Sequence, residues 1–258
     1  MKPNVIAIPA LGDNFIYLHV WAEGKACVID PGESRSVLEA LDGKGLHLTT
    51  VLVTHRHWDH VGGVSDLVAR TGCEVYGADR GLISSAGRTL ADGDVVTLGD
   101  VRVRAIATPG HTRDALCYYI DSTDPDTMPV VYTGDTLFVG GCGRLIECDA
   151  TTMWQSLMRL AELPGETLVY CGHDYTLENY EFAVAIAPDE AVYRERLDQI
   201  QKAVEYGQLT VPSTMGQEKA TNIFLRAPSD RIRTALGMSS AQPAEVFAEL
   251  RRRKDIFG

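Results

Sequence analysis

The sequence predicts an α+β fold: a layered domain of strands and helices with both sheet faces covered, followed by a C-terminal helical domain. Three observations predict it. Short β-rich runs alternate with helical segments through the first two-thirds of the 258 residues. The character turns helical after about Asp174. Ligand-type side chains follow several of the strand ends, where a rigid scaffold aims loop residues into one cavity.

Strands are expected at Val5–Pro9, Phe15–Trp21, Ala26–Asp30, Thr50–Thr54, Glu74–Tyr76, Asp94–Leu98, Val101–Thr108, Ala115–Ile120, Val130–Thr133 and Thr167–Tyr170. Each is a short apolar or alternating run rich in Val, Ile, Thr and Tyr. Helices are expected at Ser34–Leu41, Val61–Arg70 and Thr152–Leu163, the last stopped by Pro164-Gly165. Beyond Asp174 the runs Leu177–Ile186, Ala191–Glu205 and Ala244–Arg253 read as helices, punctuated by Pro188, Pro212 and Pro228. The organisation expected is therefore a layered domain over 1–174 and a helical domain over 175–258.

The composition is that of a globular protein, 45% hydrophobic and 23% charged. A net charge of −11 argues against a nucleic-acid or anionic-membrane partner, because neutralising phosphates needs a basic face. The N-terminal MKPNVIAIPALGDNF has no apolar run of signal-peptide type, and no stretch approaches 18 apolar residues. The six cysteines form no CxxC pair and are expected to be reduced thiols of a cytoplasmic protein. The chain is expected to act as a monomer.

The informative stretch is Thr54-His55-Arg56-His57-Trp58-Asp59-His60. An apolar run ends there, and three histidines and an aspartate follow within six positions. Imidazole and carboxylate suit zinc, iron or manganese. Three later strands end the same way: Thr-Pro-Gly-His111, Thr-Gly-Asp135 and Cys-Gly-His173. Glycine before the ligand lets the backbone pass close to a bound group. His19 and His47 fall outside this pattern and are expected at the surface or half-buried.

THxHxDH, a distant His, a TGD-type Asp and a CGH-type His together resemble the metallo-β-lactamase superfamily. Asp30-Pro31-Gly32 resembles that family's early Asp motif. The resemblance implies an αβ/βα sandwich of two mixed sheets flanked by helices. It also implies two divalent metal ions (Zn, Fe or Mn). His55, His57 and His111 would hold one, Asp59, His60 and His173 the other, and Asp135 would bridge them. Asp59 and Asp135 would act in catalysis by holding metal and orienting water, with Asp30 behind them. Two such cations bring hydroxide within reach at neutral pH, so no Ser or Cys nucleophile is required.

A narrower resemblance runs nearly the whole length. FVGGCGR at 138–144, YCGHDYTLEN at 170–179, VPST at 211–214, NIFLR at 222–226 and RRRKDIF at 251–257 are similar to the glyoxalase II, or hydroxyacylglutathione hydrolase, family. This implies hydrolysis of S-D-lactoylglutathione to D-lactate and glutathione, the second step of methylglyoxal detoxification. It also implies a glutathione grip by Arg144, Tyr175, Arg251 and Lys254. Arg251 and Lys254 are three apart, hence on one face if that segment is helical. The sequence departs from the family pattern at Ile146, Cys148 and Asp114-Ala115. An alternative in the same fold is a glutathione persulfide dioxygenase, or another thioesterase or lactonase using a different thiol. A scaffold protein that had lost turnover would have lost ligands, and every ligand position is filled.

Overall fold

The structure is a computed structural model that describes residues 4–78, 81, 88–121 and 127–257. The chain divides into two compact units. The first comprises Met1–Ala107 and Asp114–Gly134, the second Thr108–Arg113 and Asp135–Gly258.

The first unit carries two sheets. Strands β1 (Val5–Ala10), β2 (Asn14–Ala22) and β3 (Lys25–Ile29) form an antiparallel meander. Helix α1 (Arg35–Lys44) then crosses back, so β4 (His47–Leu52) pairs with β3 in parallel. Helices α2 (Trp58–Val61) and α3 (Val64–Thr71) lead to β5 (Glu74–Gly77), which is followed in the sheet by β6 (Arg88–Thr89). The order is β1-β2-β3-β4-β5-β6, mixed, as the resemblance implies. In the second sheet β7 (Val95–Leu98), β8 (Val101–Ala107), β9 (Leu116–Ile120) and β10 (Val130–Gly134) pair as antiparallel neighbours.

Periodicity explains which faces are buried. Val37 and Leu41 of α1 and Val64 and Leu67 of α3 stand three or four apart, so each pair lies on one stripe. They pack on Leu18, Val28, Val51 and Val75 of the first sheet. The parallel strands β3 and β4 are buried over nearly their whole length, as strands between two covered faces must be. The two sheets meet through the Tyr118 hydroxyl, which donates to the Val53 carbonyl at 2.6 Å, and through the Tyr17 and Tyr132 rings at 5.6 Å. His19 belongs to this layer: it is buried and 2.8 Å from the Tyr132 hydroxyl, not at the surface or half-buried as the sequence suggested. Desolvation lowers its pKa to about 4, so it is a neutral core residue. His47 is exposed.

The single helix expected over Val61–Arg70 is two. The chain breaks at Gly62-Gly63 because it runs there against the 32–34 turn. A Cβ on Gly62 would lie 2.4 Å from the Gly32 carbonyl oxygen, and one on Gly63 would lie 2.4 Å from the Glu33 carbonyl carbon. That contact seats the Asp59-His60 turn beside the end of β3.

The second unit opens with the two-residue strands β11 (Leu137–Phe138) and β12 (Gly141–Cys142), paired antiparallel. Helix α4 (Ala150–Ala161) starts at Asp149, whose side chain caps it by accepting from the Thr152 amide at 2.8 Å. Strand β13 (Leu168–Cys171) leads into α5 (Thr176–Ile186) and α6 (Ala191–Glu205). After these come β14 (Ser213–Thr214), antiparallel to β13, and helices α7 (Met215–Thr221), α8 (Asp230–Leu236) and α9 (Pro243–Asp255). Phe182, Phe224 and Phe247 form the aromatic centre of the helical part, and Trp154 ties α4 to α9. Of these elements the sequence missed β6, β11, β12, β14, α7 and α8, each too short for its period to stand out.

Candidate metal centre

In the first unit Asp30, Thr54 and three of the four predicted ligands form one hydrogen-bonded cluster at the ends of β3 and β4. Asp30 adopts φ +50, an uncommon conformation for a residue with a side chain. Its carboxylate accepts from the Thr54 amide at 2.7 Å, from the Thr54 hydroxyl at 2.6 Å and from His60 Nδ1 at 3.1 Å. Because the Thr54 hydroxyl proton goes to Asp30, its oxygen accepts from His55 Nδ1 at 3.1 Å. Both imidazoles thus spend Nδ1–H inward and turn the Nε2 lone pair outward.

Those outward nitrogens have close neighbours. His55 Nε2 stands 3.1 Å from His57 Nδ1, and His60 Nε2 stands 3.4 Å from Asp59 Oδ2. Asn14 supports Asp59 by donating to its Oδ2 at 3.1 Å and to its backbone carbonyl at 3.3 Å. Nothing in the sequence marks Asn14 for that contact, since a lone Asn at a strand start is ordinary.

The second unit holds His111, Asp135 and His173. Asp135 Oδ2 lies 3.4 Å from His111 Nε2 and 3.4 Å from His173 Nε2. His111 Nδ1 donates to the Arg144 carbonyl at 2.9 Å, which again leaves Nε2 as the ligand atom. His173 stacks on Tyr175, rings 5.0 Å apart and 4° from parallel. Gly143 lets the chain return past this cluster: a Cβ there would sit 1.9 Å from the Asp135 carbonyl oxygen.

This donor set fits divalent cations. Two ligand atoms on one tetrahedral cation, each about 2.1 Å from it, stand about 3.4 Å apart. The pairs His55–His57, Asp59–His60, His111–Asp135 and His173–Asp135 all fall within 3.1–3.4 Å. Groups of His and Asp with converging ligand atoms, Asp30–His55–His60 among them, are those expected of a metal-binding protein.

Beside His111 and Asp135, within the second unit, lies a pocket of about 350 Å³. Arg144, Tyr175, Arg251 and Lys254 all line it, together with Phe138, Cys142, Glu178, Asn179 and Phe257. Arg144 is exposed. Lys254 is half-buried, its Nζ 3.3 Å from the Glu178 carbonyl and above the Phe182 and Phe257 rings. Burial lowers its pKa below the ordinary lysine value, and Glu178 partly offsets this. Arg251 is buried and lies over the Phe224 ring. Its guanidinium donates to the Cys142 carbonyl at 2.8 Å and pairs with Asp255 at 3.0 Å. Both Arg251 and Lys254 are on α9, as the helical reading of the C-terminus requires.

Of the residues that depart from the family pattern, Ala115 is buried and the other three are at least partly exposed. Ile146 is largely exposed, Cys148 is half-buried, and Asp114 pairs with Arg56 at 3.3 Å. All six cysteines are free.

Comparison with known proteins agrees with this geometry. The family described as metallo-beta-lactamase superfamily matches residues 12–173, and the hydroxyacylglutathione hydrolase C-terminus matches 174–257. Among solved structures, that of ETHE1 from Myxococcus xanthus superposes with a TM-score of 0.65 at 26% identity, covering 98% of this chain and 99% of that one. TTHA1623 in a di-iron-bound form superposes at 0.56 with 28% identity, over 86% of this chain and 99% of that one. Fold and ligand set together place the chain in the metallo-β-lactamase superfamily as a metal-dependent member. The hydroxyacylglutathione hydrolase of Methylococcus capsulatus is 45% identical over 98% of both chains, and that of Rhodopseudomonas palustris 42% over 99% of both. Within the superfamily, the chain belongs to the hydroxyacylglutathione hydrolase family.

Proposed function

We propose that this chain hydrolyses S-D-lactoylglutathione and related 2-hydroxyacyl glutathione thioesters to the hydroxy acid and glutathione. The observation that carries the reading is the pocket of the second unit, where two ligand-type residues and a cationic, aromatic wall line one cavity. A glutathione thioester has that shape of chemistry, with carboxylates on a flexible peptide and a reactive carbonyl at its sulfur.

His55, His57 and His111 would hold one cation and Asp59, His60 and His173 the other, and Asp135 would serve both. The ligand spacings within each unit support it. Two divalent cations, when bound, supply Lewis acidity toward the thioester carbonyl and lower the pKa of water. Asp59 and Asp135 would hold that centre and orient water at it. Asp30, through Thr54 and His60, keeps two imidazoles in the tautomer that presents Nε2. Tyr175 lies flat on His173 and offers its hydroxyl toward the thiol moiety. Arg144 and Lys254 pair with glutathione carboxylates, and Arg251 completes the cationic side. A thiolate, whose conjugate thiol has a pKa of about 8.5, leaves without prior protonation and takes its proton from water afterwards, so no dedicated general acid is required.

In this reading residues 1–174 carry the metal ligands and Arg144, and 175–258 supply the rest of the substrate grip. The two family matches, which meet between 173 and 174, support that division. Six free cysteines suit a reducing cytoplasm. Among the described residues no helix is long and apolar enough to cross a membrane. The net charge of −11 disfavours nucleic acid. The enzyme is proposed to work as a monomer, a reading supported by Arg144, Tyr175, Arg251 and Lys254 of one chain lining one pocket.

The test is thiol release from S-D-lactoylglutathione by metal-loaded protein, beside a thioester lacking the tripeptide. Rapid release from the first and slow release from the second is the expected result. Release from neither, with two metals per chain measured, would overturn the substrate and leave the fold standing.

A further inference from the structure

Two of the motifs singled out in the sequence contribute nothing directly to the pocket wall. No residue of Asn222-Ile223-Phe224-Leu225-Arg226 or Val211-Pro212-Ser213-Thr214 is among the lining residues. Asn222 is nevertheless fully buried, as is Glu218 one turn before it. A buried carboxylate beside a buried amide is costly unless both are hydrogen-bonded, so their partners are informative.

Those partners are the backbone of the 138–142 strap. Asn222 Nδ2 donates to the Phe138 carbonyl at 3.2 Å and the Gly141 carbonyl at 2.9 Å. It also donates to Glu218 Oε2 at 3.0 Å. The same Glu218 oxygen accepts from the Gly140 amide at 2.9 Å. Asn222 Oδ1 accepts from the Phe224 amide at 3.0 Å, which fixes which way the amide faces. Asn179 Nδ2 takes the Val139 carbonyl at 3.1 Å and Arg251 the Cys142 carbonyl at 2.8 Å. Five successive residues of the strap are thus held by four buried side chains from the helical part.

The strap has little room to move. A Cβ on Gly140 would stand 2.7 Å from the Tyr180 ring, and one on Gly141 would stand 2.3 Å from the Asn179 amide. Its ends meet the pocket directly. Phe138 packs edge-on against Tyr175 at 5.3 Å and His173 at 6.0 Å. Beyond Cys142, the Arg144 side chain lines the pocket while its carbonyl accepts from His111 Nδ1.

We propose that Glu218 and Asn222 are positioning residues for thioester binding: by clamping the 138–142 strap they set where Phe138 and Arg144 meet the glutathione part of the substrate. The proposal rests on the thioester reading above. A shift of the strap by a fraction of an ångström moves both pocket residues together, and such misplacement is costly in a site that works by orientation.

The experiment compares wild type with Glu218→Gln, Glu218→Leu and Asn222→Ala. Four quantities are measured: the Kd for glutathione by calorimetry, KM and kcat for S-D-lactoylglutathione, kcat/KM for an S-lactoyl thioester without the tripeptide, and metals per chain. Glu218→Gln keeps an acceptor for Gly140 and Asn222 and should stay within about 3-fold of wild type, whereas Glu218→Leu and Asn222→Ala should weaken Kd and raise KM about 10-fold. Both should keep two metals and their activity on the short thioester. Unchanged Kd and KM would overturn the proposal, as would parallel loss of metals and of both activities, which is what a purely structural role gives. If Glu218→Leu does not fold, Asn222→Ala decides by the same readings. Wild-type protein inactive on lactoylglutathione would overturn the thioester reading, and this one with it. An active wild type with unaltered variants would overturn this one alone.

Discussion

His60 Nδ1 donates to the Asp30 carboxylate at 3.1 Å, and both side chains are buried. The same carboxylate takes two hydrogen bonds from Thr54. Asp30 is therefore the hub that orients His55 and His60 without lining the cavity of the second unit.

Replacing Asp30 should weaken metal binding about 10- to 100-fold, the usual cost of removing a partner behind a ligand. Chelator competition measures it. Asn tolerates φ +50 better than most residues, so Asp30→Asn keeps the backbone while removing the charge that holds His60. Asp30→Ala should lose the same affinity and further stability, because the Thr54 amide and hydroxyl are left buried without their acceptor. Equal metal affinity in wild type and Asp30→Asn would show that the backbone turn alone matters.

Gly143→Ala tests the close return of the chain past Asp135. The added Cβ would stand 1.9 Å from a backbone oxygen, which no rotamer change relieves. The chain must shift, at a cost of about 1–3 kcal/mol of the kind measured for overpacked sites. Chemical denaturation should show that loss, and metal analysis should show weaker retention, since Asp135 and His111 flank the glycine.

How much of this was legible in the sequence follows from the range of each signal. His55, His57, Asp59 and His60 stand within six positions, so their cluster could be read directly. His111, Asp135 and His173 were legible through the repeated strand–glycine–ligand pattern. Asn14 was not, because what ties it to the cluster is a contact to Asp59 45 positions away. Arg251 could be placed on the right helix, but not its hydrogen bond to Cys142, which spans 109 positions. The same limit hid Glu218 and Asn222, whose partners are backbone atoms with no sequence signature. His19 looked like a surface residue because the tyrosine that accommodates it lies 113 positions on.

Tyr175 separates ring from hydroxyl. Its ring stacks on His173 and meets Phe138 edge-on, so Tyr175→Phe keeps both contacts. It should raise KM for lactoylglutathione roughly 3- to 10-fold, the loss of about one hydrogen bond, with little change in kcat. Tyr175→Ala also removes the stack and should lower kcat. Steady-state kinetics on the two variants, side by side, makes the comparison. A Tyr175→Phe variant with wild-type KM would remove the hydroxyl from the substrate grip.

Lys254 gives the pH dependence. Burial lowers its pKa from the ordinary lysine value, with the Glu178 charge opposing. Only the protonated amine pairs with a carboxylate, so the grip is complete below the lowered pKa and is lost as pH rises through it. KM for lactoylglutathione should therefore climb on the alkaline side at a lower pH than an unperturbed lysine would give, while kcat holds. The contribution to folding has the opposite sign: between the lowered and the ordinary pKa the unfolded chain binds the extra proton, so stability gains slightly as pH rises there. Lys254→Arg cannot lose its charge in this range and should flatten the alkaline rise in KM. Lys254→Ala should raise KM below the lowered pKa, converge on wild type as pH rises through it, and so remove the dependence, because uniform binding is lost and chemistry is not. A rise in KM that persists unchanged in Lys254→Ala would assign the titration to another group and remove Lys254 from the carboxylate grip.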